Sequence, residues 1–142
     1  MSTATKVSAL DHATQSAHAW VCDVARGFDT EDREFADRVL RAWLHTLRDR
    51  LIVEASAHFA AQLPDLIRGI FYAGWNPSSV PAKYDVEEYV LRFAHDANIA
   101  PDDVSKAAAV TSAAALQHLP AAQMDKALDQ LPPALRAVLL PK

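Results

Sequence analysis

Apolar side chains recur at helical spacing along most of the chain. The clearest stripe falls at every fourth position in the second quarter of the sequence: Phe35, Val39, Trp43, Leu47 and Leu51. Charged side chains occupy the opposite side of the same segment, with acidic residues placed four positions before basic ones. This spacing predicts an amphipathic α-helix with one buried face.

Prolines and glycines mark where helices are expected to begin and end. In the stretch QLPDLIRGIFYAGWNP, Pro64 fits the first turn of a helix, where its missing N–H removes no hydrogen bond. Gly74 is expected just past the end of that helix, because glycine adopts the left-handed conformation without strain. Pro101, Pro120 and the pair Pro132–Pro133 are expected to start further helices in the same way.

Short polar residues give a second set of helix signals. Ser8 and Asp85 are each followed three positions later by an acidic residue, which is the spacing of a capping box. Gly27 is expected to end the first helix. Asp29 or Thr30 is then expected to cap the second helix with its side-chain oxygen.

The end of the chain repeats a pattern from its middle. QLPDLIR begins at Gln62 and QLPPALR begins at Gln130, an offset of 68 residues (130 − 62). We therefore predict an all-α fold, a helical bundle built from two similar tandem units of about four helices each, related by a pseudo-two-fold axis. The single compact domain spans residues 1–142, with approximate repeats 8–76 and 85–141 and a connector at 77–84. Chance similarity between two alanine-rich helices is the alternative.

The composition is typical of a soluble globular domain. Of 142 residues, 51% are hydrophobic and 23% are charged, and the formal net charge is −4. An acidic chain lacks the positive field that general nucleic-acid binding requires, so nucleic acid is not an expected partner. Cys22 is the single cysteine, which excludes an intrachain disulfide. We find no signal-peptide core and no segment apolar enough to span a membrane, so we expect a cytoplasmic protein without a membrane partner.

The stretch from Thr46 to Pro77 carries a resemblance to a known family. Its marks are Leu47-Arg48-Asp49-Arg50-Leu51, then Glu54 and His58, then Gln62-Leu63-Pro64, Arg68-Gly69 and Gly74-Trp75. On these residues the chain resembles a bacterial family known only as domain of unknown function 2267. The similarity begins near Trp20 and is looser in the second half. The resemblance implies a small all-helical protein and no established reaction or catalytic residues.

Two pairs of metal-ligating side chains lie one helical turn apart. His18 and Cys22 have this spacing, and Glu54 and His58 have it on a later helix. Each pair is part of the ligand set that a zinc or carboxylate–histidine centre in a bundle would need. The alternative is that Cys22 is a small core residue and that the other side chains pair along their helices. These four residues are metal candidates only, and we predict no cofactor.

Arginines supply two sets of interaction candidates. Arg38, Arg41 and Arg48 form a basic ridge on the second helix, with a histidine between them. This ridge either docks an acidic protein segment or a phosphate, or is a solvated face whose charges pair with each other. Arg68 and Arg136 occupy the same position in the two proposed repeats. Each is expected to cap the C-terminal carbonyls of a neighbouring helix across the pseudo-two-fold axis, and anion binding by the pair is the alternative.

Aromatic residues cluster where the fourth helix meets the connector. Phe71, Tyr72 and Trp75 either form an exposed protein-binding hot spot or seal the junction between the two units. Trp20 and Trp43 lie at helical spacing from other apolar residues and are expected in the core.

No catalytic motif is present: we find no G-x-S-x-G, no glycine-rich phosphate loop and no H-E-x-x-H. Ser56 lies between Glu54 and His58 in sequence but on the other side of a helix. We therefore predict a non-enzymatic protein-interaction module, whose partner is another protein or a second copy and whose surface is the Trp75 corner with the basic ridge. The alternative is a metal- or small-ligand-binding stress-related protein that uses the His, Cys and Glu pairs. DNA binding by a helix–turn–helix pair is a third hypothesis.

Overall fold

The computed structural model describes residues 6–140, and within this range the chain forms eight α-helices and no β-strand. The helices, α1 to α8 in chain order, are Ser8–Gly27, Arg33–Arg50, Val53–Ala60, Asp65–Tyr72, Val86–Ala97, Val104–Ala115, Ala121–Leu128 and Pro133–Leu139. Two 3₁₀ turns, Pro77–Ser79 and Pro101–Asp103, precede α5 and α6. The predicted all-α class is confirmed. In the described range no helix is both long and apolar enough to cross a membrane.

Helix α2 lies at the centre and packs against α1, α4, α5 and α6. The stripe predicted for this helix is its buried face: Val39, Trp43, Leu47 and Leu51 are fully inaccessible to solvent, and Phe35 packs at their edge. Trp20 of α1 is also buried, which confirms the core position expected for it and for Trp43. The helical periodicity therefore identified the central element and the side that it buries.

Helix α6 allows α1 to approach it closely because the buried residues of α6 are small. Most of them are alanines: Ala107, Ala108, Ala109, Ala114 and Ala115. At the end of α1, a Cβ added at Gly27 would lie 2.6 Å from Cγ1 of Val110, which is too close for two carbon atoms. Glycine at position 27 thus lets α1 and α6 touch, and any larger residue there would require the Val110 side chain to move.

Several predicted helix boundaries are confirmed. Gly74 has a φ of 78° directly after the C-cap of α4, as expected for a glycine that ends a helix. The Asp85 side chain accepts a hydrogen bond from the Glu88 backbone N–H at 3.0 Å and caps α5. Pro64 and Pro120 are N-caps of α4 and α7, one position before the first turn in which Pro64 was expected.

Two predicted caps are wrong. Helix α1 starts at Ser8, but Val7 is its N-cap and no side chain caps it. Helix α2 is capped by Asp32, which accepts from the Phe35 N–H at 3.0 Å. The reason is the turn before it: Asp29 takes a left-handed φ of 54°, and the Thr30 hydroxyl accepts from the Asp32 N–H instead.

The segment after α4 is held against α2 by polar contacts. The Ala82 N–H donates to the Asp49 carbonyl at 2.7 Å, and the Arg50 Nε donates to the Tyr84 carbonyl at 3.3 Å. The buried Tyr84 hydroxyl donates to the Thr46 carbonyl. The connector is therefore anchored to the C-terminal half of α2.

Candidate functional site

Arg48 is buried, with 4% of its surface exposed, although it was predicted on a surface ridge. Its Nη1 donates to the Phe71 carbonyl at 2.9 Å and to the Ala73 carbonyl at 2.7 Å, and its Nε donates to the Asp49 carboxylate at 2.8 Å. The last carbonyls of a helix have no partner inside that helix. The ridge assignment of Arg48 is wrong because α4 ends against α2 at this point, so that Arg48 caps α4.

The remaining ridge residues lie nearer the surface. The exposed Arg38 donates through Nε to the Ala97 carbonyl at the end of α5, at 3.2 Å. His45 Nε2 lies 2.7 Å from the Ile70 carbonyl in α4. Arg41 Nε donates to the Asp37 carboxylate at 3.1 Å, as the four-residue spacing predicted. Two of these polar side chains, Arg38 and His45, thus contact backbone carbonyls near the ends of neighbouring helices.

Arg68 also caps a helix, but not the expected one. Its Nε donates to the carbonyl of Ala60, the last residue of α3, at 3.0 Å, and its Nη2 donates to the carbonyl of Leu63, in the turn before α4, at 2.7 Å. These carbonyls belong to the preceding helix and to the turn after it, and not to a helix across a pseudo-two-fold axis. Arg136 differs: its Nη2 lies 3.3 Å from the Asp129 carboxylate, and its buried Nε has no acceptor within residues 6–140.

The aromatic residues of α4 form one connected cluster. Phe71 is fully buried and its ring centroid lies 5.5 Å from that of Tyr72, which in turn lies 5.1 Å from Trp75. Tyr72 and Trp75 are half-buried. The Trp75 indole N–H is inaccessible to solvent and has no acceptor among residues 6–140. The corner is therefore attached to the core through Phe71 and open on its other side.

The metal candidates are not brought together. His18 is exposed on α1, and the half-buried Cys22 accepts a hydrogen bond from Arg33 Nε at 3.3 Å. Glu54 and His58 approach to 4.0 Å on α3 with 82% and 66% of their side chains exposed. Between residues 6 and 140 no three His, Cys, Asp or Glu residues are arranged to hold a metal ion. The two pairs are thus separate surface features.

A first groove, here called the α1–α4 groove, has a volume of about 340 Å³. Its walls are apolar and come from α1 and α4: Ala17, Val21, Leu66, Ile67 and Ile70. Two of the predicted candidates, His18 and Arg41, also line it. Here a member of the basic ridge, Arg41, meets an open apolar surface.

A second groove, here called the α3–α7 groove, has a volume of about 300 Å³. Phe59 and Ala127 form its buried floor, and Ala55 is half-buried beside them. Glu54 and His58 line one side, and Lys126 lines the other. The Glu54–His58 pair, predicted as a metal candidate, therefore borders an apolar groove.

One polar cluster had no signal in the sequence. His118 Nε2 lies 2.7 Å from the Asp23 carboxylate, and its ring stacks on Trp20 with a centroid distance of 5.0 Å. The pair joins α1 to the turn after α6 across 95 residues of sequence. A separation of this size leaves no local pattern, so only the tertiary structure reveals it.

The fold and the contacts above define a small helical protein in which most of the arginines singled out by the sequence bind backbone carbonyls at or near helix ends. A family model described as "Uncharacterized conserved protein (DUF2267)" matches residues 17–138. The chain belongs to this family, and the predicted resemblance is confirmed. A comparison with curated proteins found no match.

Proposed function

We propose that the protein is a non-enzymatic interaction module whose α1–α4 groove binds an amphipathic helix of a partner protein. The partner helix places its apolar face in the groove and an acidic side chain opposite Arg41. The observation that carries this proposal is an exposed apolar strip that continues from the groove along α1.

The strip follows the helical repeat of α1. Val7, Leu10, Ala17 and Val21 succeed one another at steps that are compatible with one helix face. The exposed fraction is 50% at Val7, 65% at Leu10 and 46% at Leu66 of α4. Contiguous exposed apolar surface marks interaction sites, and a groove between two helices suits the apolar face of a third.

The charges at the groove favour an acidic side chain on the partner. Asp37 engages the Nε of Arg41, and the Arg41 Nη groups donate no hydrogen bond to any residue between 6 and 140. About half of the Arg41 side chain is exposed, at 48%. A guanidinium placed in this way can form a paired hydrogen bond with an incoming carboxylate.

The groups singled out for chemistry support a non-enzymatic role. Ser56 is fully buried, whereas Glu54 and His58 on the same helix are exposed. The serine hydroxyl instead lies 3.4 Å from the Arg48 carbonyl. A nucleophile and its base must lie within hydrogen-bond reach, and these three residues do not meet that condition.

A peptide-binding experiment tests the proposal. The probes are two fluorescein-labelled 18-residue amphipathic helices with leucine on one face, flanked by glutamate in one peptide and by lysine in the other. We expect the glutamate peptide to bind, Leu66→Asp to weaken binding at least tenfold and Arg41→Gln to weaken it several-fold, as measured by fluorescence anisotropy.

Leu91→Asp is the matched control, because Leu91 is 53% exposed on α5 and does not line the groove. Equal losses in Leu66→Asp and Leu91→Asp, or tighter binding of the lysine peptide, would overturn the proposal. Light scattering of the free protein tests whether a second copy of the chain occupies the groove instead. A dimer that Leu66→Asp dissociates would assign the groove to a second copy and also overturn it.

We also infer that the chain is one domain of two tandem units, approximately 8–76 and 85–141, joined by 77–84. The helix boundaries support this division. Helices α3 and α4 begin at residues 53 and 65, and α7 and α8 begin 68 residues later, at 121 and 133. Helix α2 begins at 33, and the 3₁₀ turn before α6 begins at 101, again 68 residues later. The first helices differ, since α5 is shorter than α1.

A further inference from the structure

The α3–α7 groove is a concave site whose two sides differ in chemistry. It lies on a different pair of helices from the partner-helix groove and has a volume of about 300 Å³, at the lower end for small-molecule pockets. We propose that it binds a medium-chain aliphatic carboxylate, with the chain on the groove floor and the carboxylate at Lys126.

The floor accepts an alkyl chain because it combines one large ring with small side chains. Phe59 is 2% exposed and Ala127 is 4% exposed, and both present carbon atoms to the groove. Ala55 leaves room beside them, and Ile52, 45% exposed, extends the apolar surface at the mouth. Apolar groups lining an open groove gain contacts when a ligand displaces water from them.

The space has a simple origin if the chain is a tandem duplication. With the offset of 68, Phe59 corresponds to Ala127 (59 + 68) and Ala55 corresponds to Gln123 (55 + 68). Both members of each pair line the groove. Alanine in place of a second phenylalanine therefore leaves the groove open. The binding proposal itself rests on the observed groove and not on the duplication.

The α7 side supplies the groups that an anion requires. Gln123 and Lys126 lie three positions apart on one face of α7, Gln130 follows in the turn after it, and all three line the groove. Lys126 forms no ion pair with any residue between 6 and 140. One unpaired ammonium with two amide side chains fits a single carboxylate.

The α3 side carries a carboxylate, which repels an anionic ligand. Glu54 lies 4.0 Å from His58, and both side chains are mostly exposed to solvent. An anionic head group therefore avoids Glu54 by lying on the Lys126 side. This arrangement orients the ligand, with its head towards α7 and its chain between Ala55 and Phe59.

Titration by NMR tests the site with octanoate, decanoate and 1-decanol as probes. We expect decanoate to shift the amide signals of α3 and α7 and to bind about tenfold more tightly than octanoate, because it buries two more methylene groups. 1-Decanol, which lacks the charge, is expected to bind at least fivefold more weakly than decanoate.

Two variants test which residues bind the carboxylate and which bind the alkyl chain. Lys126→Gln is expected to weaken decanoate binding about fivefold, whereas Lys106→Gln on α6 is expected to leave it unchanged. Ala55→Leu fills the groove and is expected to abolish binding; circular dichroism checks that its fold is intact. Since Lys126 is exposed, its variant stays informative even if Ala55→Leu fails to fold.

Three results would overturn the proposal: shifts that map outside α3 and α7, equal binding of decanoate and 1-decanol, or full binding by a folded Ala55→Leu variant. The partner-helix proposal is separable from this one. Leu66→Asp is expected to leave decanoate binding unchanged, so either proposal can fail while the other stands.

Discussion

Helices α2 and α6 correspond in the two proposed units, yet they bury side chains of opposite size. With the offset of 68, Trp43 corresponds to Thr111 and Leu44 to Ser112. The two helices pack together, and the Trp43 indole N–H donates to the Ser112 hydroxyl at 3.0 Å. The large side chains of α2 therefore occupy space that the small side chains of α6 leave free. Similar helix patterns can thus build a core from unequal halves, because packing requires only that the combined volumes fill the interior.

The same two helices also differ at their C-terminal ends, where only α2 has an arginine that caps another helix. Arg48 near the end of α2 caps α4 through the Phe71 and Ala73 carbonyls, whereas its counterpart in the second unit is Leu116 (48 + 68). The first half therefore depends on a buried guanidinium at a place where the second half has an apolar side chain. Buried charges are sensitive to the loss of their partners, so the halves should respond differently to equivalent substitutions.

The largest difference in the stability lost on substitution by alanine is expected between Trp43 and Thr111. Trp43→Ala removes a fully buried indole and its hydrogen bond to Ser112 and should lower the free energy of unfolding by about 4 kcal/mol. Thr111→Ala should lower it by only about 1 kcal/mol, because a small side chain is shortened. Urea denaturation followed by far-UV circular dichroism measures both. Equal losses would contradict the idea that α2 supplies the bulk and α6 the space.

A second difference is expected at the helix ends. Arg48→Met leaves two carbonyls and the Asp49 carboxylate without their donor and should cost about 3 kcal/mol of unfolding free energy. Leu116→Met at the corresponding position should cost less than about 1.5 kcal/mol. Arg48→Lys is the control for charge, since lysine keeps the charge but lacks the planar guanidinium donors. If Arg48→Met proves as mild as Leu116→Met, Arg48 does not cap α4 in solution.

Alkaline pH should weaken the contact that the connector and α5 make with α2. Burial raises the pKa of Tyr84 and of Tyr89, and the negative charge of Asp49 raises the pKa of Tyr84 further. The pKa of a tyrosine in the unfolded chain is about 10. Below that pH the neutral tyrosine contributes its full stabilisation to the fold, and this contribution is lost as the pH rises above it. At pH 11 the loss should be about 1.4 kcal/mol for each tyrosine.

Urea denaturation at pH 8 and pH 11 measures this loss. The double variant Tyr84→Phe/Tyr89→Phe should remove most of the difference between the two pH values. The hydroxyl of Tyr89 has no partner within residues 6–140, so Tyr89→Phe alone should not destabilise the protein at pH 8. An unchanged alkaline loss in the double variant would assign it to other groups.

The smallest difference is expected between Arg68 and Arg136. Arg68→Leu removes two hydrogen bonds, one to the last residue of α3 and one to the turn after it, and should cost about 1.5 kcal/mol. Arg136→Leu removes an ion pair with Asp129 at the surface and should change the unfolding free energy by less than about 0.5 kcal/mol. Thermal unfolding of the two variants, measured side by side, compares these two losses of stability. A larger loss for Arg136→Leu would show that its buried Nε has a partner in solution.

Local signals in the sequence predicted much of the fold. The stripe of α2, the α4 stop at Gly74 and the Asp85 cap all act within one or two helical turns, and each was found where expected. The missed cap of α2 was also a local matter. The cap at Asp32 was missed because two nearby residues, Asp29 and Thr30, had equally suitable side chains, and only the turn geometry chose between them.

The candidate site was predicted less well because its residues are far apart in sequence. Arg41 and His18 were singled out, but nothing local indicated that they line the same groove as Leu66. Lys126 of the α3–α7 groove was not singled out at all. A basic residue on an exposed helix face has the same sequence pattern whether it faces bulk water or a groove.

The sequence by itself determined the helical class, most helix boundaries and the buried face of α2, because the spacing of apolar residues and the helix-end residues act over a few positions. The tertiary structure alone decided that Arg48 lies inside, that His118 meets Asp23, and that grooves remain between α1 and α4 and between α3 and α7. These features depend on how distant helices pack, and packing is set by the combined shape of both partners, which neither segment records alone.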